Sequence, residues 1–286
     1  MKNPFFSIVI PTYNRAGFLK IAVESVLAQT FKDYELLIVD DGSTDNTAES
    51  ITLQTASNKL QNKIKYFYQK NQGPAAARNK GIENSKGKFI CFLDSDDRWR
   101  KDKLDITFRY IKEHSGYKVF HSQEIWYRNG RLLTLRVKHK KPSGNVFAQA
   151  LKLCCISIST AAIHKSVFAD IGNFDESFST CEDYEFWLRV SLKYPVILMP
   201  DYLTIKEGGH NGQQSEKYEA MDTFRIRALK KILEKETLTL ENYIAAYSEL
   251  KSKCHIYIQG ALRRKKPFQA DKYRKIINEL VPDGKF

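Results

Sequence analysis

No stretch of this 286-residue sequence approaches the roughly 20 consecutive apolar residues that a membrane-crossing helix requires. A bilayer-spanning reading is therefore excluded. The opening MKNPFFSIVIPTYN has one lysine, and its apolar run meets Pro11 too soon for a secretory h-region. It offers no small-residue cleavage site, so the chain is expected to stay in the cytoplasm. Cysteine is sparse: Cys91, Cys154, Cys155, Cys181 and Cys254 form no CxxC pair and no regular spacing. They read as reduced thiols, which excludes a disulfide scaffold and a zinc module. Acidic residues are outnumbered, 33 against 46 Lys and Arg. The resulting charge of +13 calls for an anionic partner: nucleic acid, an anionic membrane surface or a phosphorylated substrate.

With 42% hydrophobic and 28% charged residues, the composition is that of a globular protein able to bury a sizeable core. Residues 5–10 (FFSIVI) and 35–40 (ELLIVD) are short continuous apolar runs, the signature of parallel strands buried on both faces. Between them Phe18, Leu19, Ala22, Val23, Val26 and Leu27 recur at helical spacing. The unit is strand, helix, strand with a right-handed crossover. The alternation predicts a helix from about Thr44, a strand at 64–68, a helix opened by Pro74 and a strand at 88–93. The middle is less regular: a helix near 101–113, strands near 117–126 and 156–163, and a lysine-rich stretch, KHKKPSG (138–144), read as a mobile loop. Residues 182–193 read as a helix with Phe186, Trp187 and Val190 inward, followed by PVILM as a strand. Long helical stretches follow at about 215–235, 239–263 and 268–280. The predicted fold is thus α/β, a mostly parallel mixed sheet flanked by helices with a C-terminal helical extension. The expected division is 1–212, with halves 1–100 and 101–212, and a basic helical extension over 213–286.

In open α/β sheets, ligands bind beyond the carboxyl ends of the strands. Four polar segments fall there: PTYNR (11–15), DDGSTD (40–45), NQGPAAARNKG (71–81) and DSDD (94–97). Following the apolar FICFL, the DSDD carboxylates must project from a strand end. They read either as hard oxygen ligands for Mg²⁺ or Mn²⁺ that bridges phosphate oxygens, or as an Asp-rich turn with a helix cap. Asp40 and Asp41 read as base or ribose contacts, or as turn and cap residues beside Gly42 and Ser43. Gly73, Pro74 and the small residues before Arg78 can cradle a phosphate; equally they suit a capped helix packed on the sheet with Arg78 paired to a carboxylate. Glu182 and Asp183 sit in the first turn of a helix, where its dipole favours negative charge.

SIVIPTYNR, ELLIVDDGSTDNT, NQGPAAARNKG, FLDSDD and CEDYEFWLR stand in the order and approximate spacing of family 2 glycosyltransferases, which this chain resembles over about residues 5–212. The resemblance implies the GT-A fold and an inverting transfer from a nucleotide-diphosphate sugar to an acceptor hydroxyl. It implies base and ribose contacts from Pro11, Tyr13, Arg15 and Asp40, with Arg78 helping to hold the nucleotide. Asp41, Gly73 and Ser95 complete the donor-binding set. Asp94 and Asp96 match the family's DxD pair: Asp96 is the direct metal ligand, Asp94 a ribose or water-mediated partner, and Asp97 a substitute for either. Glu182 and Asp183 match its acidic pair, with Asp183 as general base. GGHNGQQS (208–215) resembles a loop that closes over the donor, with His210 reaching phosphate or metal. Inversion needs one carboxylate to deprotonate the acceptor on the face opposite the leaving group, while metal and cations stabilise the departing diphosphate.

A UDP-sugar is the first donor to test, the acceptor is expected to be a glycan or lipid-linked, and acceptor selection is expected to lie in residues 115–165. Residues 251–275 carry Lys251, Lys253, Arg263, Arg264, Lys265, Lys266, Lys272, Arg274 and Lys275 against Asp271 alone, interleaved with Tyr257, Ile258, Leu262, Phe268 and Tyr273. This reads as peripheral attachment to an anionic membrane, or as a basic face packed on the catalytic domain. Three rivals explain less. A sugar-phosphate nucleotidyltransferase would carry a glycine-rich basic loop where PTYNR stands. A phosphoacceptor domain leaves DSDD and Glu182-Asp183 unused. A non-catalytic basic anion-binding module, nucleic-acid binding included, lacks any recognition motif.

Overall fold

The structure is a computed structural model and describes residues 3–56, 63–134, 139–210 and 220–281. Its centre is a nine-stranded mixed sheet. Strands β1 (Phe6–Thr12) and β2 (Tyr34–Asp40) are buried at every residue, as expected where helices cover both faces. Their two polar interruptions satisfy each other: Ser7 Oγ donates to Glu35 Oε1 at 2.7 Å, and Lys65 Nζ reaches Glu35 Oε2 at 2.7 Å. Strand β3 (Ile64–Tyr68) pairs parallel with β2, and β4 (Phe89–Phe92) parallel with β1. Between these strands run α1 (Ala16–Leu27), α2 (Thr47–Ala56) and α3 (Pro74–Asn84). The sheet's first half therefore has its polar loops at one edge, at the carboxyl ends of β1 to β4.

The second half continues the same sheet: β5 (Asp97–Trp99), β6 (Val119–Arg128), β7 (Arg131–Leu132), β8 (Ala161–His164) and β9 (Val196–Gly208). The spatial order is β3-β2-β1-β4-β8-β6-β9-β5, with β7 paired to β6. Strand β8 runs antiparallel to β4 and β6, while β9 is parallel to β6. The halves expected at 1–100 and 101–212 are thus joined by strand pairing. The strand predicted at PVILM is much longer than that run. It continues past Pro200 because the register shifts between Ser122 and Glu124, so that Ser122 faces Met199 and Gln123 faces Tyr202. A bulge of this kind accommodates a proline that has no N–H for the ladder.

Helices α4 (Lys103–Glu113), α5 (Phe147–Lys152), α6 (Lys165–Ile171) and α7 (Glu182–Lys193) flank this half. Phe186, Trp187 and Val190 of α7 are buried, as their spacing predicts. The C-terminal helices α8 (Met221–Lys235), α9 (Leu240–Arg263) and α10 (Pro267–Glu279) share one apolar core with α5 and α7 through Phe147, Leu151, Tyr184 and Leu188. The boundary expected at 212 lies outside the described residues. Among those described, no helix is long and apolar enough to cross a membrane.

Candidate active site

The four loops at the strand ends meet the start of α7 around a cavity of about 900 Å³. It is lined by Pro11, Tyr13, Arg15, Asp41, Gly73, Arg78, Asp94, Ser95, Asp96, Glu182 and Asp183 among others. Most of the expected site thus converges on one crevice.

Arg78 is its electrostatic centre. Gly73 precedes α3 at φ +94°, a conformation glycine adopts without cost, and Pro74 opens the helix. Close approach of α3 to the sheet depends on Gly81, where a Cβ would stand 2.3 Å from Val9 Cγ1. That packing buries Arg78, whose guanidinium donates to Glu182 Oε1 at 2.5 Å and to Asp94 Oδ1 at 2.8 Å. Burial works against the Arg78 charge, but Asp94 and Glu182 outweigh it and raise its pKa. The two carboxylates diverge. Burial pushes Asp94 up, yet Arg78 and then Lys206 hold it below its usual range. Glu182 ends above its usual value, because burial and neighbouring Asp183 outweigh Arg78. Glu182, expected beside Asp183 as catalytic, lines the cavity, is 7% exposed and is paired with Arg78.

Asp96 is held otherwise. Arg15 Nη1 contacts its Oδ2, and His210 Nε2 lies 3.1 Å from the same oxygen. His210 packs on Phe18, ring centroids 4.4 Å apart, and lines an adjoining cavity of about 310 Å³ that Asp96 shares. The rest of its loop, from 211 to 215, lies outside the described residues. Asp97 is buried in β5, and Lys206 Nζ sits 3.3 Å from its Oδ2. Burial raises its pKa to about 7, with Lys206 opposing and Asp96 and Asp94 adding.

The two aspartates after β2 part ways. Asp40 is not among the lining residues; its Oδ1 accepts from the Ser43 amide at 2.8 Å and its Oδ2 from the Tyr66 hydroxyl at 2.5 Å. Asp40, expected to contact base or ribose, is held in this way by the turn at Ser43 and by Tyr66. Asp41 lines the cavity but spends its carboxylate on the next loop, accepting from Gln69, the Gln72 amide and the Gly73 amide at 2.7 to 2.9 Å.

Asp183, in the first turn of α7, is half-buried and faces the cavity. Its Oδ1 accepts from the Tyr184 amide at 2.7 Å, and the Cys154 thiol lies 3.3 Å from its Oδ2. Burial, then Asp183 itself, pushes the Cys154 thiol well above its ordinary pKa, so it stays protonated and donates. Sequence reasoning missed Cys154, and it missed Lys206, Glu124 and Lys141, which also line the cavity. The stretch 138–144 read as a mobile loop in fact buries Lys141 against Glu124 Oε1 at 3.1 Å; Lys138 lies outside the described residues. The signal for Lys206 was its place in an otherwise apolar alternation, Leu203-Thr204-Ile205-Lys206, at a strand end.

Counted over the described lining residues, nine Asp and Glu stand against six Lys and Arg. The cavity of a strongly basic chain is itself acidic. Among the described residues no three His, Cys, Asp or Glu groups cluster to hold a metal alone. Asp96 and its neighbours therefore fit a hard cation that takes one or two carboxylates and completes its shell with water and phosphate oxygens.

A mixed sheet with carboxylate loops at the carboxyl ends of its parallel strands, facing an acidic helix start across one crevice, defines a GT-A type transferase fold. The comparisons agree. The sequence matches Glycosyl transferase family 2 over residues 7–172, and the chain belongs to that family. It is 40% identical over 187 residues to an uncharacterised glycosyltransferase of Rickettsia conorii, covering 65% of this chain and 30% of that protein. The chain thus spans about a third of that relative's length. Over 192 residues it is 31% identical to a putative teichuronic acid biosynthesis glycosyltransferase, TuaG of Bacillus subtilis, covering 67% of this chain and 73% of that one. Over 187 residues it is 34% identical to WfaP of Escherichia coli, a UDP-Glc:α-D-GlcNAc-diphosphoundecaprenol β-1,3-glucosyltransferase, covering 65% and 70%. In fold it is similar to S. aureus TarS residues 1–349 in complex with UDP-GlcNAc, with TM-score 0.78, 21% identity, and 97% and 82% of the two chains covered. It is also similar to a Pyrobaculum calidifontis mannosyltransferase in complex with GDP-Man and Mn²⁺, with TM-score 0.64, 15% identity, and 98% and 86% covered.

Proposed function

We propose that this chain transfers a sugar, with inversion, from a nucleotide-diphosphate sugar to a hydroxyl of a cell-envelope glycan or lipid-linked acceptor. The observation that carries this is the acidic cavity that Asp94, Asp96 and Asp183 line together. Pro11, Tyr13 and Arg15 bind the base and ribose end of the donor, beside the loop that Asp41 folds around Gly73. Asp96, with Asp94 and His210 nearby, would hold Mg²⁺ or Mn²⁺, which when bound supplies positive charge to the diphosphate. Arg78 keeps Asp94 ionised and fixed in place. Asp183 takes the proton of the acceptor hydroxyl; the acceptor oxygen bonds to the anomeric carbon as its bond to phosphate breaks, and the nucleoside diphosphate leaves with the electron pair. One protein carboxylate suffices for this displacement, so Glu182 is released to its structural task.

Support for a UDP donor comes from TarS and WfaP, whose names specify UDP-sugars; the GDP-Man complex of the mannosyltransferase keeps GDP-sugars in the same test. The lipid-linked acceptor is supported by the undecaprenol substrate named for WfaP. The experiment is a screen of UDP-, GDP- and dTDP-sugars with Mn²⁺ by thermal shift and by release of nucleoside diphosphate. The expected result is stabilisation by one nucleotide only when Mn²⁺ is present, lost in Asp96→Ala. Asp183→Asn is expected to keep that stabilisation while turnover falls by about 10²–10⁴. Stabilisation by no nucleotide, or full turnover in Asp183→Asn, overturns the assignment.

A further inference from the structure

Helices α9 and α10 form an antiparallel hairpin whose tip, residues 262–269, is a run of eight consecutive exposed positions. Its sequence is LRRKKPFQ. Phe268 is 89% exposed, the largest exposure among the large apolar side chains of the described residues, and Leu262 is 44% exposed. Between them stand Arg263, Arg264, Lys265 and Lys266. Among the described residues none of these four forms an ion pair, whereas three other cations of the tail do. Lys253 is buried against Glu249 and Asp222, Arg274 pairs with Asp271, and Lys275 reaches Glu279. A basic face packed on the catalytic domain thus accounts for Lys253 and not for the tip.

The tip is built rather than loose. Lys265 adopts φ +57°, and the amides of Lys265 and Lys266 donate to Leu262 and Ala261 at 2.9 Å. Just behind it the rings of Tyr257 and Tyr273 are 4.1 Å apart, the Tyr257 hydroxyl contacts Gln269 at 3.2 Å, and Ala261 and Ala270 are fully buried. Docking therefore costs little ordering entropy.

Four uncompensated cations bracketed by two exposed apolar side chains match one surface that offers acidic headgroups and an apolar layer within a few ångströms of each other. We propose that the hairpin tip docks on an anionic lipid bilayer, with Leu262 and Phe268 entering the interface and Arg263, Arg264, Lys265 and Lys266 facing the headgroups. The inference concerns a surface separate from the cavity and stands independently of the donor reading.

The test is flotation of the full chain with vesicles of phosphatidylcholine alone or with about 30 mol % phosphatidylglycerol, in about 0.1 M salt. Binding is expected for the anionic vesicles only. Each cation removed should weaken partition about five-fold, so the variant with Arg263, Arg264, Lys265 and Lys266 all changed to Ala should lose several hundred-fold. Phe268→Ser, which leaves the charge intact, should lose about ten-fold. Both variants should keep the wild-type melting temperature, which shows that they fold. Equal partition to both vesicles, failure of the wild type to float, or a four-fold Ala variant that floats like the wild type overturns the proposal. Binding of a duplex oligonucleotide that the same variant abolishes, without vesicle binding, overturns it in favour of nucleic acid.

Discussion

Arg78→Met should destabilise the protein strongly, and less so in acid. The substitution keeps an unbranched side chain beside Phe174 but loses the cation–π contact, in which the guanidinium carbon lies 5.5 Å from the ring centroid. What it removes is the cation that pairs with both Asp94 and Glu182, at 2.8 and 2.5 Å. Breaking a buried pair by deleting one partner costs about 3–5 kcal/mol, because the other charge is left uncompensated. For a chain of this size the melting temperature should fall by about 5–8 °C. In the wild type Asp94 is held below its ordinary pKa, so its stabilisation is present above that value and lost as pH falls. Glu182, already raised, runs the other way and offsets part of this. In the variant burial raises both, and a carboxyl with a raised folded-state pKa favours the native state at low pH and loses that advantage as pH rises. The gap between variant and wild type should therefore narrow by about half from pH 7.5 to pH 5. Melting by circular dichroism at both pH values measures it. A second substitution, Glu182→Gln, should return part of the loss by removing one stranded charge. A fall under about 2 °C at neutral pH, or a gap that widens in acid, would refute the electrostatic account.

Other positions give independent checks. Gly81→Ala should cost about 1–3 kcal/mol through the clash with Val9, read by denaturant unfolding; a neutral result would mean that α3 need not approach β1 so closely. Cys154→Ala should lower kcat about five-fold with donor KM unchanged, while Cys154→Ser keeps the hydrogen bond to Asp183 and most of the rate; equal losses in the two would remove the positioning role. His121 is buried, with Nε2 2.8 Å from the Pro142 carbonyl, and burial followed by Lys141 lowers its pKa to about 3. Its neutral form is fully stabilising above about pH 6.5 and is lost as pH falls toward 3, so near pH 5 it should account for about 2 kcal/mol of lost stability. His121→Gln should flatten that part of the stability profile.

Much of the sheet was legible because buried parallel strands write themselves as continuous apolar runs, as at FFSIVI and ELLIVD. The helices of the tail were legible from their spacing. What could not be read depends on direction. Asp40 and Asp41 are adjacent, yet successive side chains at a strand end point to opposite faces, so one fixes a turn and the other folds the Gly73 loop. Glu182 and Asp183 are likewise adjacent on a helix, about 100° apart, which turns one toward Arg78 and the other toward the cavity. Arg78 is paired with two carboxylates and also lines the cavity, which spacing alone could not reveal. Lys141 in a lysine-rich stretch looks solvated until Glu124, on a strand 17 positions earlier, supplies its buried partner.

Net charge was the least local signal and the one most changed by the structure. A charge of +13 implies an anionic ligand, and the natural place to seek it is the crevice, but the described crevice residues carry an excess of acid. The surplus cations stand elsewhere, four of them at the α9–α10 tip without an ion-pair partner among the described residues. On the two proposals made above, two anions would be handled by different means. A diphosphate in the crevice would be neutralised by a divalent cation beside Asp96, and an acidic surface at the tip would be met by exposed side chains open to screening. Raising salt should accordingly release the chain from anionic vesicles at concentrations that leave metal-dependent stabilisation by nucleotide almost intact. If both were lost in parallel, the donor would be held by the surplus surface charge, and the acidic crevice would need another explanation.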